Sequence, residues 1–109
     1  MAEQADAPVV VWTSRGCGAC VQAKRLLDGK RVAYKERRLK NDPAVQRAFA
    51  RATGGARTVP QIVVGEHLVS GFDDLVNLER SGELDVMLGR AEPSTEKSLW
   101  QRLKRGFRG

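Results

Sequence analysis

"VVVWTSRGCGACVQAKRLL" (residues 9–27) decides how the rest of the chain is read. Val9–Thr13 is a short, unbroken apolar run, the pattern of a strand buried on both faces in a parallel or mixed sheet. Residues 14–16 read as a loop. From Cys17 to about Asp28 the chain reads as a helix with Cys20, Ala23 and Leu27 on one face, and Gly29 supplies a stop. A strand therefore runs through a short loop directly into a helix. The two cysteines of the chain stand three residues apart at the mouth of that helix.

Working outward, "RVAYKERRL" (31–39) alternates enough for a second strand, placed near an edge by its charges. Asp42-Pro43 is a helix start, a capping side chain followed by proline at the first helical position. Val45, Ala48, Phe49 and Ala52 then mark a buried face, and Gly54-Gly55 ends the helix. "TVPQIVV" (58–64) reads as a third strand. Gly65-Glu66 turns the chain, and "HLVS" (67–70) returns as a fourth strand, giving a hairpin over 59–70. Asp73-Asp74 lies in the first turn of a helix buried through Phe72, Leu75, Val76 and Leu78. Ser81-Gly82 closes that helix, and "ELDVML" (83–88) adds one more short turn. The order β-α-β-α-β-β-α predicts an α/β domain. A right-handed crossover pairs the first strands in parallel, and the hairpin completes a mixed four-stranded sheet flanked by helices.

A chain of 109 residues suits one such domain. The expected division is a domain over 1–89, a linker over 90–96 and a basic tail over 97–109. No stretch approaches the roughly 20 apolar residues of a membrane span. "MAEQADAP" is polar and acidic, unlike a secretory signal, so a cytoplasmic protein is expected. The net charge of +6 comes mostly from residues 97–109, with five basic and no acidic side chains. The high pI therefore does not mark the whole domain as a nucleic-acid binder, and none is expected as a partner.

In a reducing compartment, two cysteines this close suggest a metal or redox pair rather than a staple. A structural zinc site needs about four ligands. Cys17, Cys20 and the lone His67 fall short within one chain, although a site shared between two chains stays open. The redox reading fits better. A cysteine at a helix N-terminus meets unpaired N–H groups and the positive end of the helix dipole, and Arg15 adds charge. Such surroundings lower a thiol pKa from about 8.5 toward 3.5–7.5. Cys17 is then the expected thiolate nucleophile, and Cys20, one turn on, the resolving thiol. In "RTVPQIVV" (57–64), Pro60 cannot donate to a sheet. A cis Val59–Pro60 bond is expected there, turning the Val59 N–H and C=O outward toward an extended peptide.

"VWTSRGCGAC…AKRLL", "RTVPQIVVGEHLVSGFDDL" and "LERSGEL" together resemble the glutaredoxin family, of thioredoxin-like fold, across roughly residues 9–88. The resemblance implies a thiol-disulfide oxidoreductase that reduces disulfides or protein–glutathione mixed disulfides, with glutathione as co-substrate. It implies Cys17 as nucleophile, Cys20 as resolving thiol, and Pro60 beside them as the third catalytic position. It implies that Thr58 and Val59 bind the glutathione backbone. Gly71, Phe72, Asp73 and Asp74 would hold its γ-glutamyl end, since a helix N-terminus suits a carboxylate and an aspartate suits an ammonium. The family commonly has Lys where Ser14 stands, so Arg15 and Arg57 are the substitutes for its glycyl carboxylate. The usual Pro-Tyr between the cysteines is Gly18-Ala19, and the usual Gly-Gly is Ser70-Gly71. These departures leave two alternatives. One is a redoxin reduced by thioredoxin reductase. The other is a dimer in which Cys17 from each chain and two glutathiones hold a [2Fe–2S] cluster. The enzymatic reading implies a monomer with no bound metal.

The tail "EKSLWQRLKRGFRG" (96–109) places Leu99, Leu103 and Phe107 at helical spacing beside Trp100, with a basic opposite face. It can dock on its own domain, on an anionic membrane surface, or on an acidic partner. His67 reads as an exposed hairpin residue, Trp12 as core beneath the cysteine loop, and Arg37 and Arg38 as a solvated face.

Overall fold

The computed structural model describes residues 6–92. The tail over 97–109, and with it the three uses considered for it, lies outside the described residues. Strand β1 (Val9–Thr13) occupies the interior of a four-stranded sheet ordered β2-β1-β3-β4. Strand β2 (Lys35–Arg38) pairs with it in parallel; β3 (Gln61–Val64) pairs with it antiparallel, and β4 (His67–Ser70) closes the hairpin. The central position of β1 is why its run is apolar without alternation: both faces are covered. On one face Val9, Val11, Ile62, Val64 and Val69 meet Ala23, Leu27 and Leu75. On the other, the Trp12 ring meets Phe49 edge to face, with centroids 5.3 Å apart.

Helix α1 (Gly18–Gly29) buries Cys20, Ala23 and Leu27, as their spacing predicts. It ends at Gly29, as expected, and the left-handed residue beyond it is Arg31, with φ +59°. Local backbone bonds close this turn, the Arg31 N–H donating to the Asp28 carbonyl and the Val32 N–H to the Leu27 carbonyl, and the Arg31 carbonyl also accepts from Arg90. Helix α2 (Pro43–Thr53) starts as its sequence requires, with the Asp42 carboxylate accepting from the N–H groups of Ala44 and Val45. Its buried residues are Phe49 and Thr53; Ala52 is exposed, contrary to the spacing-based expectation. Thr53 is tolerated inside because its hydroxyl donates to the Phe49 carbonyl at 2.7 Å.

Helix α3 (Phe72–Ser81) follows β4 through Gly71, whose φ of +94° is open to glycine and strained for other residues. The element order then gains a member. Residues 83–88 form a separate helix α4 (Glu83–Leu88), not a trailing turn, so the order is β-α-β-α-β-β-α-α. Leu84 and Leu88 are fully buried and complete the core beneath α3. Arg90 and Ala91 still bond to the domain: the Arg90 guanidinium grips the Asp6 carboxylate at 2.8 and 2.9 Å, and both residues' N–H groups donate to the Asp85 carbonyl. No helix among the described residues is long and apolar enough to cross a membrane.

Candidate active site

The loop after β1 delivers Cys17 to the N-cap of α1, where its Sγ accepts the Cys20 N–H at 3.0 Å. A sulfur in this position faces the free N–H groups and the positive pole of the helix, which favour negative charge. Cys17 is partly exposed, whereas Cys20 is 2 % exposed. The two sulfurs are joined in a disulfide. Exchange chemistry thus has one accessible sulfur and one behind it, the order expected of nucleophile and resolving thiol.

Opposite the sulfur stands the segment before β3. The Val59–Pro60 bond is cis, and the Cys17 Sγ lies 3.8 Å from the Val59 carbonyl oxygen. The Gly71 N–H donates to the Pro60 carbonyl at 3.1 Å, which ties the start of α3 to this bend. Between them opens a groove of about 410 Å³, lined by Ala19, Val59, Pro60, Ser70, Gly71, Phe72, Asp73 and Asp74. Its far end is the N-terminus of α3, with two carboxylates in the first turn.

Five of the predicted binding residues meet here: Val59, Gly71, Phe72, Asp73 and Asp74. The other three do not line this groove. Arg15 opens on the opposite side of Cys17, in a second groove of about 310 Å³ shared with Lys24, Glu36 and Arg38. Arg57 and Thr58 line neither groove, and Thr58 instead receives hydrogen bonds from Gln61.

Two features escape a linear reading. Gln61 is fully buried, and its Nε2 donates to the Thr58 carbonyl at 3.0 Å and the Ser70 hydroxyl at 3.1 Å. It braces the Thr58–Pro60 bend against β4. The available signal was a polar residue directly after Val-Pro, at the head of an otherwise apolar strand. The second feature is a polar cluster beside the cysteine loop. The Thr13 hydroxyl donates to Glu36 at 2.7 Å, and the Lys24 ammonium reaches both Glu36 oxygens at 3.1 and 3.2 Å. The Thr13 hydrogen bond, then the one from Lys24, holds the Glu36 carboxyl below its ordinary value. Arg37 is exposed, as expected, and also lays its guanidinium 4.6 Å over the Trp12 ring.

The glutaredoxin family model matches residues 9–69, which include both cysteines and the cis-proline segment. This chain belongs to the glutaredoxin family. Glutaredoxin 1 of Rickettsia typhi is 40% identical over 92 residues, spanning 84% of this chain and 88% of that protein. A glutaredoxin of Pseudomonas aeruginosa is 44% identical over 81 residues, 74% of this chain and 95% of its own. Among solved structures, a Brucella melitensis glutaredoxin superposes with TM-score 0.66 at 32% identity, covering 83% of this chain and 97% of that one. A buckwheat glutaredoxin–glutathione complex gives 0.65 at 32% identity, over 76% and 77% of the two chains. The glutaredoxin is thus a thiol-disulfide oxidoreductase of thioredoxin-like fold with a Cys17–Cys20 site.

Proposed function

We propose that this glutaredoxin reduces disulfides and protein–glutathione mixed disulfides with glutathione as electron donor. One observation carries the reading: the Cys17 sulfur at a helix N-cap faces Val59 across the mouth of a groove that ends at the Gly71–Asp74 helix start. That groove has an extended wall for a peptide backbone. Its far end offers N–H groups for a carboxylate and aspartates for an ammonium, the two groups of a γ-glutamyl end. The glutathione bound in the buckwheat relative supports the same ligand class.

The steps follow from thiol exchange. The Cys17 thiolate attacks the glutathione sulfur of a mixed disulfide. The protein–glutathione S–S bond breaks, a Cys17–glutathione bond forms, and the protein sulfur leaves as a thiolate that takes up a proton. The thiolate of a second glutathione then attacks the bound glutathione sulfur, releasing oxidised glutathione and the Cys17 thiolate. With a protein disulfide, the Cys17 thiolate attacks one substrate sulfur; the substrate S–S bond breaks, the other substrate sulfur leaves as a thiolate that takes up a proton, and a Cys17–substrate bond forms. The Cys20 thiol loses its proton and attacks the Cys17 sulfur; the substrate sulfur bonded to Cys17 leaves as a thiolate that takes up a proton, and the Cys17–Cys20 disulfide remains. Two glutathiones reduce it, leaving as oxidised glutathione.

Arg15 lines the second groove beside Cys17, away from the α3 start, so it is the residue we propose for the glycyl carboxylate at the other end of the tripeptide. The deciding experiment supplies NADPH with glutathione and glutathione reductase, or with thioredoxin reductase, and follows reduction of a small disulfide. The glutathione pair is expected to sustain turnover. Turnover with thioredoxin reductase alone would replace this reading with the redoxin one.

A further inference from the structure

Charge is divided across the sheet. Residues 15–57 hold twelve basic side chains against three acidic, and residues 58–92 hold two basic against seven acidic. The first set builds α1, β2 and α2, and the second builds β3, β4, α3 and α4, so the basic half lies on the β2 side of the β2-β1-β3-β4 sheet. The glutathione groove belongs mainly to the acidic half.

Strand β2 is an edge strand and reads Lys-Glu-Arg-Arg, with all four residues exposed. The Leu39 N–H donates to the Thr13 carbonyl, and alternate residues of a strand address the same neighbour. Glu36 and Arg38 therefore turn their backbone N–H and C=O groups to the open side. Along that side runs a groove of about 570 Å³ lined by Lys35, Glu36, Arg37, Arg38, Lys40 and Val45. Glu36 and Arg38 also line the groove that holds Cys17, so the two grooves adjoin at these side chains. The only carboxylate in this strip, Glu36, is committed to Thr13 and Lys24 and also lies 3.9 Å from the Arg38 guanidinium, which leaves Lys35, Arg37 and Lys40 as the strip's unneutralised cations among the described residues.

We infer that the outer edge of β2 docks an extended acidic segment of the substrate protein, laid beside the strand while the substrate's disulfide reaches Cys17. Open backbone groups supply the pairing, as in other strand additions, and Lys35, Arg37 and Lys40 supply complementary charge. Four strand residues span about 13 Å, enough to seat acidic residues within a few positions of the reacting cysteine. The chain's own tail carries five basic and no acidic residues over 97–109, so the same charge repels it. Because Cys17 lines the adjoining groove, a disulfide-bearing peptide is a better occupant than a nucleic acid or a membrane.

This inference rests on the oxidoreductase reading above and deepens it by naming a substrate class. The test uses the full-length protein with glutathione, glutathione reductase and NADPH. Three substrates are compared: a small glutathione disulfide, and glutathionylated peptides with either acidic or neutral flanks. Lys35→Glu/Lys40→Glu is expected to raise KM for the acidic peptide about ten-fold, with little change for the small disulfide or the neutral peptide. Lys35→Gln/Lys40→Gln should give a smaller effect of the same sign, and salt should narrow the wild-type preference. The acidic peptide should also slow hydrogen exchange at the Glu36 and Arg38 amides. Equal KM for both peptides in the wild type, or a preference that survives charge reversal, overturns the docking alone. So does protection of those amides by an oligonucleotide or by phosphatidylglycerol vesicles but not by the peptide. A wild type that fails to reduce even the small disulfide overturns the enzymatic reading and this inference with it.

Discussion

At the scale of single residues, the two sulfurs differ in access and in what surrounds them. Cys17 accepts a backbone N–H at the start of α1 and is partly exposed; Cys20 is buried one turn on. Cys17→Ser is expected to abolish all exchange. Cys20→Ser should retain reduction of glutathione adducts, which needs one thiol, while losing protein-disulfide reduction. Coupled assays with the two substrate types separate these outcomes. Glu36 sets a pH dependence of another kind. Thr13 and Lys24 hold its folded-state value below that of the unfolded chain, near 4.3. Its contribution to stability is therefore present above that value and lost as pH falls through the lower folded one. Glu36→Gln should lower stability at pH 7 by about 1 kcal/mol, and the gap should close in denaturant titrations below about pH 4.

At the scale of elements, the site is an arrangement of three segment starts: α1, the bend into β3, and α3. Their motifs are visible in the linear chain. Cys17 before a helical run, Val59-Pro60 before an apolar strand and Gly71 before Asp73-Asp74 each carry local signals. The bracing between them is not local. Gln61 reaches Ser70, nine residues on, only because β3 and β4 pair with Gln61 opposite Ser70. Gln61→Leu removes the hydrogen bonds to the Thr58 carbonyl and the Ser70 hydroxyl, so it should cost about 1 kcal/mol in thermal unfolding. It should also raise KM for a glutathione disulfide several-fold with kcat nearly kept, since the Cys17 N-cap is untouched. A variant that loses kcat without a change in KM would show that Gln61 does not act through the groove.

Across the whole molecule, the pole opposite the cysteines is fastened by charge. Lys30 bridges Glu79 and Asp85 at 2.8 and 2.7 Å, drawing α1, α3 and α4 together. Burial works against the Lys30 charge, and the two carboxylates outweigh it, so its value is raised. Arg90 grips Asp6 and donates to the carbonyls of Lys30 and Arg31 at 2.8 and 2.9 Å. Arg90→Ala should destabilise the fold by about 1–3 kcal/mol, since charge-assisted bonds and two backbone acceptors are lost together. Small-disulfide reduction at 25 °C should persist. Loss of activity in a folded Arg90→Ala protein would mean the two poles are coupled.

The linear chain by itself determined the elements, because their signals are local. Val9–Thr13 is apolar without interruption, Asp42-Pro43 caps and opens α2, and Cys17 stands where α1 begins. Those signals located the accessible sulfur and the chain segments around its groove. Tertiary structure decided what depends on partners distant in sequence. It buried Leu84 and Leu88 of helix 83–88 in the core, tied the turn at Lys30 and Arg31 to Arg90, 60 and 59 residues on, and turned Arg15 into the second groove. Periodicity reports which face of an element is apolar, but not which neighbour covers it or where a long charged side chain comes to rest.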